Sequence, residues 1–326
     1  MTHTIPYASL TPDCILNAVE SLGLFTSGSL LALNSFENRV WQIGMDEGPP
    51  LIAKFYRPGR WTDEQILEEH AFAQELAERD IPLVAPLTLN GKTLHHYDSF
   101  RFALFPRRGG RPPELEQRDV LEWTGRFLGR IHAVGSSRPF IQRPALNIET
   151  FGFASLDTIL STTYLPDSLR QVYEGVARQA LSSVIRRFED AGSVAQLRLH
   201  GDCHPGNILW TDAGPHFVDL DDARTGPAIQ DLWMLLSGDR QHQTAQLCDL
   251  LSGYEDFCEF NSRETMLIEP LRTLRLIHYS AWLARRWDDP AFPAAFPWFD
   301  TPRYWEARIL ELREQIALMD EAPIQV

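Results

Sequence analysis

Cysteine is scarce in this chain, and its spacing pairs none of it: Cys14, Cys203, Cys248 and Cys258 form no C-x-x-C motif. They read as free thiols in a reducing compartment. Basic residues are outnumbered, 30 Lys and Arg against 44 Asp and Glu, for a net charge of −14. That argues against a general nucleic-acid binder, which needs a basic footprint. No run of about eighteen apolar residues is present, so no membrane-spanning helix is expected. The opening residues lack a basic start and a continuous apolar stretch, so no secretory signal is expected either. Internal repeats and low-complexity tracts are absent. The cytoplasm is the simplest location, and a monomer is the default expectation.

What remains is an ordinary globular balance, 44% hydrophobic and 23% charged, in 326 residues. That length suits two domains or one bilobal unit. A Thr-Pro-Asp start and apolar residues at Ile15, Leu16, Val19 and Leu22 predict a helix over 11–22. Strands are expected over 29–33, 39–43 and 51–56, with a turn at 46–50. A helix over 62–79 starts at Thr62 or Asp63 and buries Ile66, Phe72, Ala73 and Leu76. Two further strands are expected over 88–94 and 100–105, with Asn90-Gly91 as a turn in or beside the first. Arg107-Arg-Gly-Gly-Arg-Pro-Pro113 breaks the composition and marks a hinge. Beyond it the pattern is helical, over 119–134, 168–191, 227–237, 241–260, 264–287 and 302–319. The expected fold class is α+β and bilobal: a small antiparallel-sheet lobe over 1–106 and a larger, mainly helical lobe over 107–326. A cleft is expected between them.

The chemistry concentrates in His200-Gly-Asp-Cys-His-Pro-Gly-Asn-Ile-Leu-Trp210, followed by Phe217-Val-Asp-Leu-Asp-Asp222. The turn residues Asp212-Ala-Gly-Pro215 separate two apolar runs, which predicts the only clear hairpin of this half. A hairpin sets its ends side by side, so Asn207 and Asp219 face one cavity. An amide oxygen and a carboxylate suit Mg²⁺ that keeps several waters and shares phosphate oxygens. Asp202, five residues before the amide, is placed to accept a proton from a substrate hydroxyl. This is the layout of a phosphoryl-transfer loop. Asp219 is chosen over Asp221 and Asp222 because it follows the apolar pair Phe217-Val218. Asp231 is expected to accept backbone N–H groups of the loop.

Lys54 sits in the apolar strand Leu51-Ile-Ala-Lys-Phe-Tyr56 and must find an anion, because burying it alone is costly. Glu69, beside the buried face of the next helix, is favoured over Glu68 as the partner that aims Lys54 at a nucleotide. In Asn34-Ser-Phe-Glu-Asn-Arg39, Ser35, Asn38 and backbone N–H groups are placed to cradle phosphate, although the segment is no G-x-G-x-x-G loop. Two rival readings use the same residues. His200-x-Asp202-x-His204 matches a metal-dependent hydrolase site, and Cys203 matches a nucleophile. Neither accounts for Lys54 and Asn207.

These residues resemble the aminoglycoside phosphotransferase-like branch of the protein-kinase superfamily. The matching pieces are Leu199-His-Gly-Asp-Cys-His-Pro-Gly-Asn-Ile-Leu209, Val218-Asp219, Gly226-Pro-Ala-Ile-Gln-Asp-Leu232, the Lys54 strand, the Glu69 helix and Phe127-Leu-Gly-Arg-Ile-His132. Within that branch, Leu33-Asn-Ser-Phe-Glu-Asn-Arg-Val40, Phe217-Val-Asp-Leu-Asp-Asp-Ala-Arg224 and Trp282-Leu-Ala-Arg-Arg-Trp-Asp-Asp-Pro-Ala-Phe-Pro293 are similar to bacterial stress-response serine/threonine kinases. The resemblance implies transfer of the ATP γ-phosphoryl group to Ser or Thr of a protein substrate, and it allows autophosphorylation. By matching position it implies Asp202 as proton acceptor, Asn207 and Asp219 as Mg²⁺ ligands, and Ser35 as an ATP-site residue. Asp219-Leu-Asp replaces the D-F-G of eukaryotic protein kinases, and no A-P-E segment is present, which puts activation-loop control in doubt. The alternatives are a small-molecule kinase for an aminoglycoside, choline or homoserine, and a non-catalytic nucleotide-binding scaffold. Arg272, Arg275, Arg285 and Arg286 beside Trp282 and Trp287 do not resemble an acidic pocket for a polycation.

Overall fold

Thr11 opens the first helix, α1 (Pro12–Glu20): its hydroxyl accepts the Cys14 N–H, and Pro12 sits in the first turn, where no donor is needed. The computed structural model describes residues 6–326, so the first five residues of the expected sheet lobe lie outside it. In chain order there follow β1 (Thr26–Ala32), β2 (Arg39–Met45), β3 (Leu51–Phe55), α2 (Asp63–Ala77), β4 (His95–Tyr97) and β5 (Phe100–Pro106). The strands form one antiparallel sheet in the order β1-β2-β3-β5-β4.

Alternation along β3 gives the sheet two different faces. Ala53 and Phe55 join Ile43, Phe102, Leu104 and the α1 residues Ile15, Ala18 and Val19 in one buried core. Lys54 points the other way. Its register partner is Ala103, which packs with Tyr56, Leu94 and Ile66 of α2. The pleat therefore sends the lysine toward α2. That helix starts with a capping box in which Thr62 and Gln65 exchange side-chain and backbone hydrogen bonds.

The expected strand over 88–94 is not formed. Asn90 and Gly91 both adopt positive φ (51° and 72°), and their turn closes a single bridge between Leu89 and Lys92. A second tight turn at Asp98 (φ 49°) leaves only His95–Tyr97 to pair with β5. Two reversals this close exhaust the residues a longer ladder needs.

The remaining elements are α3 (Arg118–Gly135), α4 (Ala154–Ser161), α5 (Asp167–Ala191), β6 (Leu197–Leu199), β7 (Ile208–Thr211), β8 (Gly214–Phe217), β9 (Arg224–Gly226), α6 (Ile229–Leu232), α7 (Arg240–Tyr254), α8 (Ile268–Arg286), α9 (Ala291–Ala295) and α10 (Pro302–Asp320). The chain divides into two compact units, each drawn from separate stretches. The first comprises the chain through Glu114 with Phe140–Arg143 and His204–Ala223. The second comprises Leu115–Pro139, Pro144–Cys203 and Arg224–Val326. The division expected from sequence is a single cut after residue 106.

The first unit holds the five-stranded sheet, α2 and the expected hairpin, in which β7 and β8 pair Ile208 with Phe217 and Thr211 with Gly214. The second unit is mainly helical, so the fold class is α+β with an antiparallel N-terminal sheet. It also holds a strand pair beyond the expected hairpin, β6 with β9. Three-residue strands carrying Arg198 and Arg224 leave no alternating signature. Arg198 is buried because its guanidinium caps the last turn of α3, donating to the carbonyl of Val134 at 2.8 Å. The helix expected over 227–237 is one turn, α6, extended by a 3₁₀ turn through Leu235.

Glycines allow α3 and α7 to pack backbone against backbone. A Cβ built on Gly129 would fall 2.3 Å from the carbonyl oxygen of Tyr254, and one on Gly125 would meet Leu250 in the same way. Gly129→Ala is therefore expected to lower the unfolding free energy by about 1–3 kcal/mol through overpacking. The shift of the urea midpoint measures it; an unchanged midpoint contradicts the close approach.

Candidate active site

The hairpin fixes Asn207 and Asp219 by backbone. The Val218 N–H donates to the Asn207 carbonyl at 3.0 Å, one step beyond the Ile208–Phe217 pair. Asp219 then adopts the left-handed conformation (φ 63°), which Asp tolerates better than most residues. Its carboxylate lies 2.9 Å from Lys54 Nζ. Lys54 is also 3.2 Å from Asp221 and 4.0 Å from Glu69. The structure thus brings Lys54, Glu69 and Asp219 together, with Asp221 as a further member.

Glu68 faces backbone instead of charge. Its carboxylate accepts the N–H groups of Ile141, Gln142 and Arg143 at 2.6, 2.8 and 2.7 Å. This fastens residues 140–143 to α2. Arg143 then lies 3.7 Å from Glu69, donates to the carbonyls of Asp221 and Ala223, and stacks on Trp61 at 4.1 Å. Arg60 completes the group, pairing with Asp221 and, at 2.9 Å, with Asp222. Three cations face four carboxylates. Sequence reasoning missed Arg60, Arg143 and the inward turn of Asp221, because no periodicity marks a loop residue that reaches across the fold.

The electrostatics follow from burial. Desolvation alone would depress the Lys54 ammonium, but Asp219, Asp221 and Glu69 outweigh it and hold the pKa well above the ordinary lysine value. Glu69 is buried and the most distant of the three acids. Desolvation pushes its carboxyl up to about 7, against the pull of Lys54 and with repulsion from Asp221. Burial would also raise Asp221, yet Arg60 and Lys54 keep it below its ordinary value.

Of the three carboxylates near Lys54, Asp219 is the one that water reaches: its side chain is 52% exposed, against 4% for both Glu69 and Asp221. A hydrated Mg²⁺ requires such a ligand. The amide of Asn207 and the carboxylate of Asp219 are both hard oxygen donors, so the residues present fit that ion. Among the described residues, no three His, Cys, Asp or Glu side chains group to hold a metal by themselves. Phosphate and water would supply the remaining ligands.

The loop expected to bind phosphate divides its roles. Ser35 is half-buried, and its hydroxyl donates to the Asn38 carbonyl at 3.2 Å. Asn38 is buried, and its amide oxygen accepts the Arg57 N–H at 3.1 Å. Asn38 therefore braces the loop against the end of β3.

In the second unit, Asp231 is fully buried and organises the segment that carries Asp202. It accepts the N–H groups of His200 and Gly201, both at 2.8 Å, and pairs with His132 Nε2 at 3.0 Å. Burial would raise its carboxyl, but the His132 hydrogen bond and neighbouring charge hold it below the usual range. Gln230 donates to the Gly201 carbonyl at 3.0 Å, and His132 contacts the Tyr254 hydroxyl at 2.8 Å. Asp202 follows this anchored turn and pairs with Arg275 of α8 at 2.5 Å. Cys203 is buried, and desolvation followed by Asp231 and Asp202 pushes its thiol well up, which disfavours a nucleophilic thiolate. His200 is buried beside the Asp202 N–H, and His204 Nδ1 accepts the Gly206 N–H.

A lysine held under a sheet by a helix glutamate, with a hairpin carrying Asn207 and Asp219 beside it, suits a phosphotransferase of the kinase type. The chain belongs to the phosphotransferase enzyme family (APH), whose family model matches residues 29–267. Stress response kinase A of Escherichia coli (strain K12) is 44% identical over 320 residues, 98% of this chain and 97% of that one. Serine/threonine protein kinase RdoA of Salmonella typhimurium (strain LT2) is 44% identical over 324 residues, 99% and 98% of the two chains. Among solved structures, the amicoumacin kinase hAmiN superposes with a TM-score of 0.74 at 18% identity, covering 96% of this chain and 94% of that one. The last likeness shows the fold. The chain is an ATP-dependent phosphotransferase. No helix among the described residues is long and apolar enough to cross a membrane.

The raised carboxyl of Glu69 has a consequence for stability. A group whose pKa rises on folding contributes stability that is full below its unfolded value, and loses it as the pH climbs through the folded value. For Glu69 that window runs from the ordinary 4.5 to about 7. Glu69→Gln does not titrate, so its stability relative to the parent is expected to improve between the lower and upper ends of that window. Urea titrations at both pH values check this; a pH-independent difference contradicts it.

Proposed function

We propose that the protein is a serine/threonine protein kinase that moves the γ-phosphoryl group of ATP to a hydroxyl on a polypeptide. The observation that carries the phosphotransfer site is the 2.9 Å pairing of Lys54 with Asp219 at the open end of the hairpin that also holds Asn207. The protein acceptor is supported by full-length similarity to relatives whose names state that activity or a stress-response role. Kinases of this fold act on small molecules as well, as the name of hAmiN states, so the fold alone does not choose the acceptor.

In this reading Lys54 supplies a fixed positive charge to the triphosphate. Glu69 and Asp221, both buried, keep the ammonium in place independently of Asp219. Ser35 and its loop N–H groups cradle phosphate, and Asn38 holds the loop in shape. Asn207 and Asp219 would hold a Mg²⁺ ion, which when bound neutralises phosphate charge. The acceptor oxygen attacks the γ-phosphorus and forms the new P–O bond; the bond to the β-phosphate oxygen breaks, and ADP leaves. Asp202 orients the hydroxyl and takes its proton. Positioning and charge supply most of such catalysis.

Asp202→Ala is expected to lower turnover by about two to four decades while ATP affinity stays within a few-fold. Asp219→Ala is expected to weaken Mg²⁺-dependent ATP binding as well as turnover. Calorimetry and steady-state kinetics separate the two; near-normal turnover of either variant sinks its assignment. Transfer from radiolabelled ATP should give an acid-stable, alkali-labile label on protein. A kcat/KM for an aminoglycoside, choline or homoserine more than about two decades above that for protein would overturn the acceptor reading.

Lys54 and Lys92 are the only lysines in the chain. A lysine-acylating ATP analogue should therefore mark Lys54 in peptide mass spectra, with protection by ATP. Protection at the exposed Lys92 alone would contradict the nucleotide site.

A further inference from the structure

The acceptor end of the reaction carries a charge arrangement that the phosphotransfer chemistry does not require. Asp202, the proposed proton acceptor, is engaged by Arg275 Nη1 at 2.5 Å. Arg275 makes no other hydrogen bond or ion pair among the described residues. A guanidinium has five N–H donors in a planar fork, so most remain unused. Its side chain is 43% exposed, so those donors are accessible. Arg272, one turn earlier, is different: Glu269 holds it at 3.0 Å, and it stacks on Trp233.

The surface continuing from Arg275 along α8 is aromatic. Tyr279 and Trp282 lie four and seven residues further on, which places them on the same helix face. Their half-buried rings stack at 5.6 Å and 24°, and Trp282 is backed by Phe292 at 4.9 Å. A cationic alcohol approaching Asp202 meets a carboxylate already neutralised and a guanidinium that repels it. A hydroxyl flanked by a carboxylate meets unused N–H donors.

We propose that Arg275 is the acceptor-selecting residue of this kinase: it holds Asp202 with one arm and binds an acidic group beside the acceptor hydroxyl with the others. The favoured acceptor is a Ser or Thr flanked by Asp or Glu. This deepens the protein-kinase reading and rests on it.

The test uses two peptides that share one sequence and one Ser and differ only in Glu or Lys flanks. Each is assayed with ATP against the full-length enzyme, Arg275→Gln, Arg275→Lys and Arg275→Glu. The unaltered enzyme is expected to favour the Glu-flanked peptide about fivefold in kcat/KM, mostly through KM, the size of a partly exposed charge pair. Arg275→Lys retains the preference at reduced size, Arg275→Gln abolishes it, and Arg275→Glu reverses it. The reversal reads charge recognition, which general damage to the fold cannot produce. Should the Gln and Glu variants fail to fold, the preference of the unaltered enzyme and its survival in Arg275→Lys decide. Equal rates for both peptides with the unaltered enzyme, or a preference untouched by Arg275→Glu, overturn the proposal and leave the protein-kinase reading standing. Phosphorylation of choline or an aminoglycoside with neither peptide used overturns both.

Discussion

A buried ammonium cannot stand alone, and much of the first unit is organised to answer that requirement. Lys54 sits mid-strand with its side chain almost wholly out of water. Three carboxylates approach it, which leaves excess negative charge in the same space. Arg60 and Arg143 offset that excess and arrive from separate loops. Arg143 reaches the group because Glu68 pins residues 140–143 to α2 through three N–H bonds. The capping box at Thr62 and Gln65 in turn fixes where α2 begins, and hence which glutamate faces the sheet. Adjacent glutamates thus serve unlike ends: Glu69 meets charge, and Glu68 meets backbone.

The second unit solves a parallel problem with hydrogen bonds. Asp231 is as buried as Lys54, but backbone N–H groups and His132 satisfy it directly. These bonds hold the turn at His200 and Gly201 and so position the residue that follows, Asp202. His132 comes from α3, whose glycines let the helix lie tight against α7 and bring Tyr254 to the other ring nitrogen. Packing of small residues between α3 and α7 therefore bears on how the loop is anchored.

Solved phosphotransferases of this fold carry names of different acceptors, amicoumacin and choline among them. The amicoumacin kinase has the same fold at 18% identity, whereas the stress response kinase and RdoA match across essentially the whole chain. On the proposed reading, acceptor choice lies in side chains near Asp202. In this protein the Arg275 guanidinium pairs with the Asp202 carboxylate.

The sequence alone determined the motif residues, the strand-rich start and helical remainder, the capping box region and the hairpin, because each rests on local spacing. Asn207 and Asp219 were legible since a turn signal between two apolar runs brings them together, and Glu69 was legible from its place beside the apolar stripe of α2. Short elements escaped: three-residue strands such as Leu197–Leu199 carry too few residues for a period to emerge, and the close turns at Asn90 and Asp98 erased a strand that composition suggested. Tertiary structure alone decided the partners. Arg60, Arg143 and Arg275 are ordinary basic residues in the sequence, and Asp221 differs from Asp219 only by position. Contacts spanning tens to more than a hundred residues turn one carboxylate inward onto Arg60 and leave the other open to water. Sequence periodicity carries no record of such contacts, because it reports which face of an element is buried and not what the opposing element presents there.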